Sequence, residues 1–424
     1  MNHVVPIRRL SLAVAFDPPA LIPSLPEPPP SETPPALANA PQPPQAQEAP
    51  LSLHAVAQSP GSRAGIAAVD ADSLPPGVLR QTTAKGLVDV TDLRVVPTDG
   101  TVFVLERSRG LSVMSPTRER TAVFAPKDLL STDGAGMLGL ALDPQFETRR
   151  QLYVFMTSSL GTMPANRVVR LTLDASLANV VARDDVLVGV PFSVASTTRA
   201  AEGRHLGGRM VFGPDGKLYV ATGDGYLADA PQTPTALAGK VLRVDTATPA
   251  QPAGVALGVR NAVGIAFHPN HEGLMVADGG GGLLDELSVL RTGGNAGWDP
   301  RCIGTAFDYC GDASAGEKLV PMNAARATLP SWQSSKPGTG LSSMALLRGP
   351  HWRHWNGALA LAFDNARRID LVKLDHGNRV VKHATVVSDL GYGFSAIDQG
   401  PDGLYVATRG KSGGDEVVRL VLSY

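Results

Sequence analysis

HLGGRMVFGPDGKLYVATGDG, residues 205–225, reads as strand, turn, strand, and fixes the kind of fold this chain adopts. Pro214-Asp215-Gly216 is tight-turn chemistry: proline presets φ, aspartate bonds its own backbone, and glycine accepts a positive φ. RMVFG before it and KLYVATG after it carry the β-branched and aromatic residues of paired strands. His205 stands ahead of the first strand and Asp224 behind the second, so a hairpin brings an imidazole and a carboxylate to one rim.

The same turn-strand unit recurs. Candidates are PTDGTVFVLE (97–106), DPQFETRRQLYVFMTS (143–158), GPDGKLYVATG (213–223), HPNHEGLMVADG (268–279), HWRHWNGALALAF (351–363) and GPDGLYVATRG (400–410). Six such units, with abundant glycine and no sustained helical period, predict an all-β chain: a six-bladed β-propeller of four-stranded antiparallel blades. Radial closure removes exposed sheet edges. Closing the ring calls for the chain ends to share a blade, with EVVRLVLS (416–423) placed beside GLVDV (86–90).

The chain divides at about residue 75. Thirteen of its 35 prolines fall between Pro18 and Pro50, so residues 1–75 are expected to form a disordered, extended tail ahead of a propeller spanning 76–424. Arg8-Arg9 followed by LSLAVAF (10–16) has the layout of an export leader, though Asp17-Pro18-Pro19 ends the apolar run without a small-residue cleavage site. A disordered start or a misassigned initiation codon accounts for the segment equally well. A net charge of −1 gives no electrostatic reason for a nucleic-acid partner, and no stretch has the length of a membrane span. Cys302 and Cys310, close together in a Gly/Asp-rich loop, suit a local disulfide in an oxidising compartment; two buried thiols are the other reading. Together these features point to a periplasmic or secreted protein.

Three groups of residues can carry chemistry. His205 and Asp224 form a base and its orienting carboxylate, although a histidine at a strand start is more often structural. Arg260-Asn261, in GVRNAVGIAFHPN, precede the fourth unit's turn, which places a guanidinium near the central channel, where it can polarise a carbonyl, or in a salt bridge between blades. Four consecutive glycines, 279–282, precede Asp285-Glu286, a loop whose carbonyls and carboxylates suit calcium or that is simply mobile.

The segments GMLGLALDPQF (136–146), HLGGRMVFGPDGKLYVATGDG (205–225), LAGKVLRVD (237–245), GVRNAVGIAFHP (258–269), DELSVLRTGGNAGWDP (285–300), WNGALALAF (355–363) and QGPDGLYVAT (399–408) stand in the order of one known family. In these the chain resembles the soluble pyrroloquinoline-quinone (PQQ)-dependent sugar dehydrogenases, the glucose/sorbosone dehydrogenase family. The resemblance runs from about residue 85 to the C-terminus and implies PQQ- and calcium-dependent oxidation of an aldose or related polyol. It implies that His205 takes the proton from the sugar's anomeric hydroxyl while hydride passes to the quinone. Asp224 would orient that histidine and Arg260 would polarise the accepting carbonyl. Arg260, Asn261, Arg209, Asn365 and Arg367 are the expected cofactor contacts, and the loop of Gly280, Gly281, Asp285 and Glu286 the expected calcium site.

The chain also departs from the family's pattern. Asn365 stands where the family usually has a lysine, and Gly393 and Ser395 where it tends to carry two arginines ahead of the last turn. Gly134 replaces a glutamine or glutamate, and Gly279-Gly280-Gly281 replaces His-Gly-Pro. A second class of function is therefore a non-catalytic propeller that has lost PQQ binding and binds a sugar, peptide or protein on its rim. A third is a metal-dependent hydrolase or lactonase on the same scaffold. Substrate identity, electron acceptor and oligomeric state are not encoded in any readable motif.

Overall fold

The structure, a computed structural model, describes residues 78–422 except 116–117, 133, 194–204, 249–250, 281–282, 301–326, 389–390 and 411–413. The expected tail, the leader-like segment and both cysteines lie outside the described residues.

The chain opens with β1 (Val78–Leu87) and then lays down six antiparallel sheets in succession. The first blade is β2 (Val90–Val95), β3 (Val102–Glu106), β4 (Gly110–Ser115) and β5 (Arg118–Phe124). The second is β6 (Met137–Leu142), β7 (Gln151–Ser158), β8 (Ala165–Leu173) and β9 (Val180–Val190), with the short helix α1 (Phe146–Arg149) in its first turn. The third holds β10 (Gly207–Phe212), β11 (Leu218–Thr222), β12 (Val241–Val244) and β13 (Ala253–Leu257). The fourth holds β14 (Ala262–Phe267), β15 (Leu274–Asp278) and β16 (Glu286–Leu290). Between β16 and the next blade, β17 (Gly294–Asn295) pairs back in parallel onto β13, and the short β18 (Trp332–Gln333) completes the fourth sheet. The fifth is β19 (Leu341–Leu346), β20 (Leu359–Phe363), β21 (Arg368–Leu374) and β22 (Val380–Val387). The sixth is β23 (Gly393–Gly400), β24 (Gly403–Arg409) and β25 (Asp415–Leu422), to which β1 adds the outer strand.

Each expected turn-strand unit is the link between the first and second strands of one blade, so the six-bladed reading holds. The innermost strands β2, β6, β10, β14, β19 and β23 touch in a closed ring, β23 against β2. The clasp holds too, shifted along the chain: β25 runs antiparallel to β1, from Val78 opposite Leu422 to Leu87 opposite Asp415. Val90, expected within the clasp, instead begins the first blade's inner strand.

Six hydrophobic clusters sit between neighbouring blades, one at each seam; Phe155, Val168, Met210 and Val220, for example, join the second blade to the third. A sheet sandwiched on both faces loses the alternation of a half-exposed strand, which is why VFVLE, LMVAD and LALAF are buried at every position. Outer strands such as β9 and β22 are exposed at many positions. Nearer the axis the seams are polar. Asp92, fully buried, accepts from Leu140 N of the second blade at 2.9 Å and from Arg94 Nη1 at 2.7 Å, and pairs with Arg209 Nη1 of the third blade at 2.9 Å. Among the described residues, no helix is long and apolar enough to cross a membrane.

Candidate active site at the propeller axis

The hairpin β10–β11 positions the His205–Asp224 pair. His205 enters β10 with a left-handed φ of 47°. Its carbonyl accepts from Gly225 N at 3.0 Å, while Gly223 N donates to the Leu206 carbonyl at 3.1 Å. The two hairpin ends approach so closely that a Cβ at Gly223 would collide with the His205 carbonyl oxygen, so only glycine fits there. The result places His205 Nδ1 3.2 Å from Asp224 Oδ1, with the two residues 4% and 1% exposed.

Asp224 is itself held from two further sides. Tyr226 N donates to its Oδ1 at 2.9 Å and Trp298 Nε1 to its Oδ2 at 2.7 Å. The Tyr226 ring packs against the imidazole with centroids 4.3 Å apart. A carboxylate facing Nδ1 fixes the tautomer with the proton on Nδ1 and makes Nε2 the basic nitrogen.

His205 lines a cavity of 220 Å³ at one end of the axis, to which every inner strand contributes: Thr91, Leu138, Arg209, Val263, Ser342 and Ser395. Arg209 closes its floor and is paired there with Asp92, which also holds Arg94; neither Asp92 nor Arg94 lines the cavity, and Arg209 also donates from Nη2 to the Ser342 carbonyl at 3.0 Å. The Ser395 hydroxyl on its wall is buried and has no hydrogen-bond partner among the described residues.

The remaining expected site residues divide sharply. Asn261 lines the cavity and its Oδ1 accepts from Gly207 N at 3.2 Å. Arg260 lies behind it: its carbonyl accepts from Asp224 N at 2.8 Å, and its guanidinium, stacked over Trp298 at 5.3 Å, donates from Nη1 to the Gly279 carbonyl at 2.8 Å. Its Nε is buried without a hydrogen-bond partner among the described residues. Arg260 thus buttresses the pair and is not part of the cavity wall. Asn365 and Arg367 sit exposed on the turn between β20 and β21, where Asn365 Nδ2 reaches the Gly338 carbonyl at 3.2 Å; neither lines the cavity.

The carboxylates expected to hold calcium are engaged elsewhere. Asp285, fully buried, accepts from Gly280 N at 2.7 Å, from Leu341 N at 3.0 Å and from the Thr339 hydroxyl. It pins the glycine loop to the entry of the fifth blade. Glu286 accepts from Gln333 Nε2 at 3.1 Å within its own sheet. The Gly279 carbonyl faces Arg260 and the Gly280 carbonyl accepts from Leu283 N at 3.0 Å; Gly281 lies outside the described residues. A hard cation needs oxygens turned towards one point. Among the described residues, no group of three or more His, Cys, Asp or Glu side chains is arranged to hold a metal, and this donor set does not fit calcium.

Two arginines that the sequence analysis passed over do line the cavity: Arg107, just after β3, and Arg409, the last residue of β24. The repeat itself held the signal. Arg107, Asp224, Asp278, Asp364 and Arg409 all occupy the end of a blade's second strand or the residues just beyond it.

Comparison with known proteins bears on the family and the fold. The sequence profile described as Glucose / Sorbosone dehydrogenase matches residues 90–419. The quinoprotein glucose dehydrogenase B of Acinetobacter calcoaceticus is 30% identical over 265 residues, covering 52% of this chain and 53% of that protein. The aldose sugar dehydrogenase YliI of Escherichia coli K12 is 24% identical over 300 residues, covering 68% and 77%. Among solved structures, the PQQ-bound aldose sugar dehydrogenase of Streptomyces coelicolor superposes with a TM-score of 0.64 at 24% identity, over 82% of this chain and 99% of that one, a likeness of fold.

Proposed function

The chain belongs to the glucose/sorbosone dehydrogenase family, and from that premise we propose that it oxidises an aldose or related polyol at the axial cavity, with PQQ as its cofactor. The observation that carries this reading is the buried His205–Asp224–Trp298 chain opening onto a cavity walled by guanidiniums. When bound, the quinone supplies the two-electron acceptor for the hydride leaving the sugar carbon. His205 Nε2 takes the proton of the hydroxyl that becomes a carbonyl. Asp224 stabilises the imidazolium so formed, and Trp298 and Tyr226 keep the carboxylate in place.

The cavity suits a polycarboxylate. Its wall presents Arg107, Arg209 and Arg409, and the Ser395 hydroxyl offers a further unpartnered polar atom among the described residues. Asn261 contributes an amide to the same wall. No step is assigned to calcium, whose expected carboxylates are engaged in the loop and sheet bonds described above. Export to the periplasm or beyond the cell belongs to the same proposal.

Dye reduction by the PQQ-loaded protein across an aldose panel tests this reading. A sugar-dependent rate that His205→Ala lowers by about 10²–10⁴-fold supports it. No PQQ binding by the folded protein would instead leave the propeller as a rim-binding module that has lost its cofactor.

A further inference from the structure

The departures at Gly134 and Gly393 have a structural counterpart at the seam between the first and sixth blades. Gly393 pairs directly with Arg409 across β23 and β24. Directly opposed residues on an antiparallel pair project to the same face, so the missing side chain at 393 leaves that face to the arginine. No side chain could return at 393, because a Cβ there would run into the Asp364 carboxylate. On the other side of the first blade, Gly134, in the connection to the second, offers its carbonyl to Arg107 Nη1 at 2.6 Å.

We propose that Arg107 and Arg409, tied together by Asp89, form an anion subsite that takes the carboxylates of a planar polycarboxylate ligand. The proposal rests on the cofactor reading above in identifying that ligand as PQQ. Asp89 Oδ2 accepts from Arg107 Nε at 2.5 Å and Asp89 Oδ1 from Arg409 Nη2 at 3.0 Å, so one carboxylate orients two guanidiniums from different blades. Arg409 Nη2 is further fixed by the Val90 carbonyl at 3.1 Å, and Asp364 Oδ2 stands 3.6 Å from Arg409 Nε.

The order of charges from the cavity outward is what makes this an anion site. Both guanidiniums line the cavity, whereas Asp89 and Asp364 stand behind them and do not. Arg107 Nη2 and Arg409 Nη1 have no partner among the described residues, so each cation keeps a donor for a ligand. Burial works against ionisation of Asp89, but the hydrogen bond and charge of Arg107, with the charge of Arg409, hold its carboxyl below the ordinary carboxylate range. Asp89 therefore stays ionised at neutral pH and keeps both guanidiniums oriented. Planar guanidinium forks match carboxylates in geometry as well as charge. Arg409 stands one strand outward from Gly393, and Arg107 reaches the same cavity from the first blade.

Calorimetric titration of the full chain with PQQ, and separately with benzene-1,3,5-tricarboxylate, tests the subsite without recourse to turnover. Arg409→Gln and Arg107→Gln are each expected to weaken PQQ binding by about ten- to a hundredfold and to flatten its salt dependence. Arg348→Gln, at the opposite mouth of the channel, should leave affinity unchanged. Arg409→Lys should recover part of the loss. If Arg107→Gln melts early, Arg409→Gln decides alone. Tight PQQ binding that neither arginine variant weakens by more than twofold overturns the subsite and leaves the cofactor reading standing. Binding of the tricarboxylate but not of PQQ, sensitive to Arg409→Gln, supports the subsite and removes the cofactor reading. Binding of neither overturns both.

Discussion

Blades three and four, and blades six and one, meet the same cavity from opposite sides and treat it differently. On the first side, His205, Asp224 and Asn261 stand where their motif places them, with a tryptophan and a tyrosine holding the pair. On the second, glycine and serine occupy positions where the resemblance implies cations, and the cations arrive from neighbouring positions, Arg107 and Arg409. Proton transfer depends on one nitrogen held at a defined point. Binding a carboxylate depends on charge and donor count, which several positions on a wall can supply. The two halves of one site thus tolerate sequence change to different degrees.

The sharpest way to break that contrast is on the proton-transfer side. His205→Ala should lower the sugar-dependent rate by about 10²–10⁴-fold without loss of PQQ affinity. Asp224→Asn, which removes the carboxylate that fixes the tautomer, is expected to cost a similar factor in kcat in the same dye assay. If either variant instead lost cofactor affinity and kept its rate, the division between the two sides would fail.

Between the two sides lies the buried floor, and its largest expected effect is on stability. Asp92→Ala leaves Arg94 and Arg209 without their shared carboxylate and should destabilise the fold by about 3–5 kcal/mol in urea titration. A value below 1 kcal/mol would mean that the axial ion pairs do not join the blades.

Asp398, half-buried in the sixth blade, gives a pH test. Burial, opposed by the charge of Arg94, pushes its carboxyl up to about 6. A carboxyl raised above its unfolded value of about 3.9 favours the folded state most at low pH, and that contribution is lost as pH rises through about 4 to 6. Asp398→Asn should flatten the stability profile in that window by about 2 kcal/mol; an unchanged slope would show that Asp398 does not titrate there. The smallest effect concerns the glycine loop. With Asp285 engaged by three donors, chelation of calcium from the cofactor-free protein should move Tm by less than about 1 °C. A shift of several degrees would show that the loop holds the ion after all.

The fold was legible because propeller turns are local chemistry: Pro-Asp-Gly and its relatives announce each blade without reference to distant residues. Strands buried on both faces read as continuous apolar runs, and the contact of His205 with Asp224 was legible for the same local reason, being two ends of one hairpin. The clasp was expected a few residues too late, at the end of β1, because VLRQTTAKGL alternates weakly and its partner lies over 300 residues away. Arg107 and Arg409 occupy the same place in their repeats as Asp224, a signal that was there to read, whereas their meeting at Asp89 depends on ring closure, which no local pattern encodes. Asp285 misled because a carboxylate that caps backbone N–H groups and one that binds calcium look alike in sequence. Asn365 and Arg367 were placed by analogy with a lysine, whereas their turn faces solvent.

The central claim is that His205, held by Asp224, is the base of a sugar oxidation. Its most direct test is anaerobic single-turnover mixing of the PQQ-loaded protein with an aldose, following the absorbance of the bound quinone. The account predicts rapid reduction in the wild type, a rate lower by about 10²–10⁴-fold in His205→Ala, and partial recovery when imidazole is added to that variant. Reduction at the wild-type rate in His205→Ala, with cofactor affinity unchanged, would contradict it.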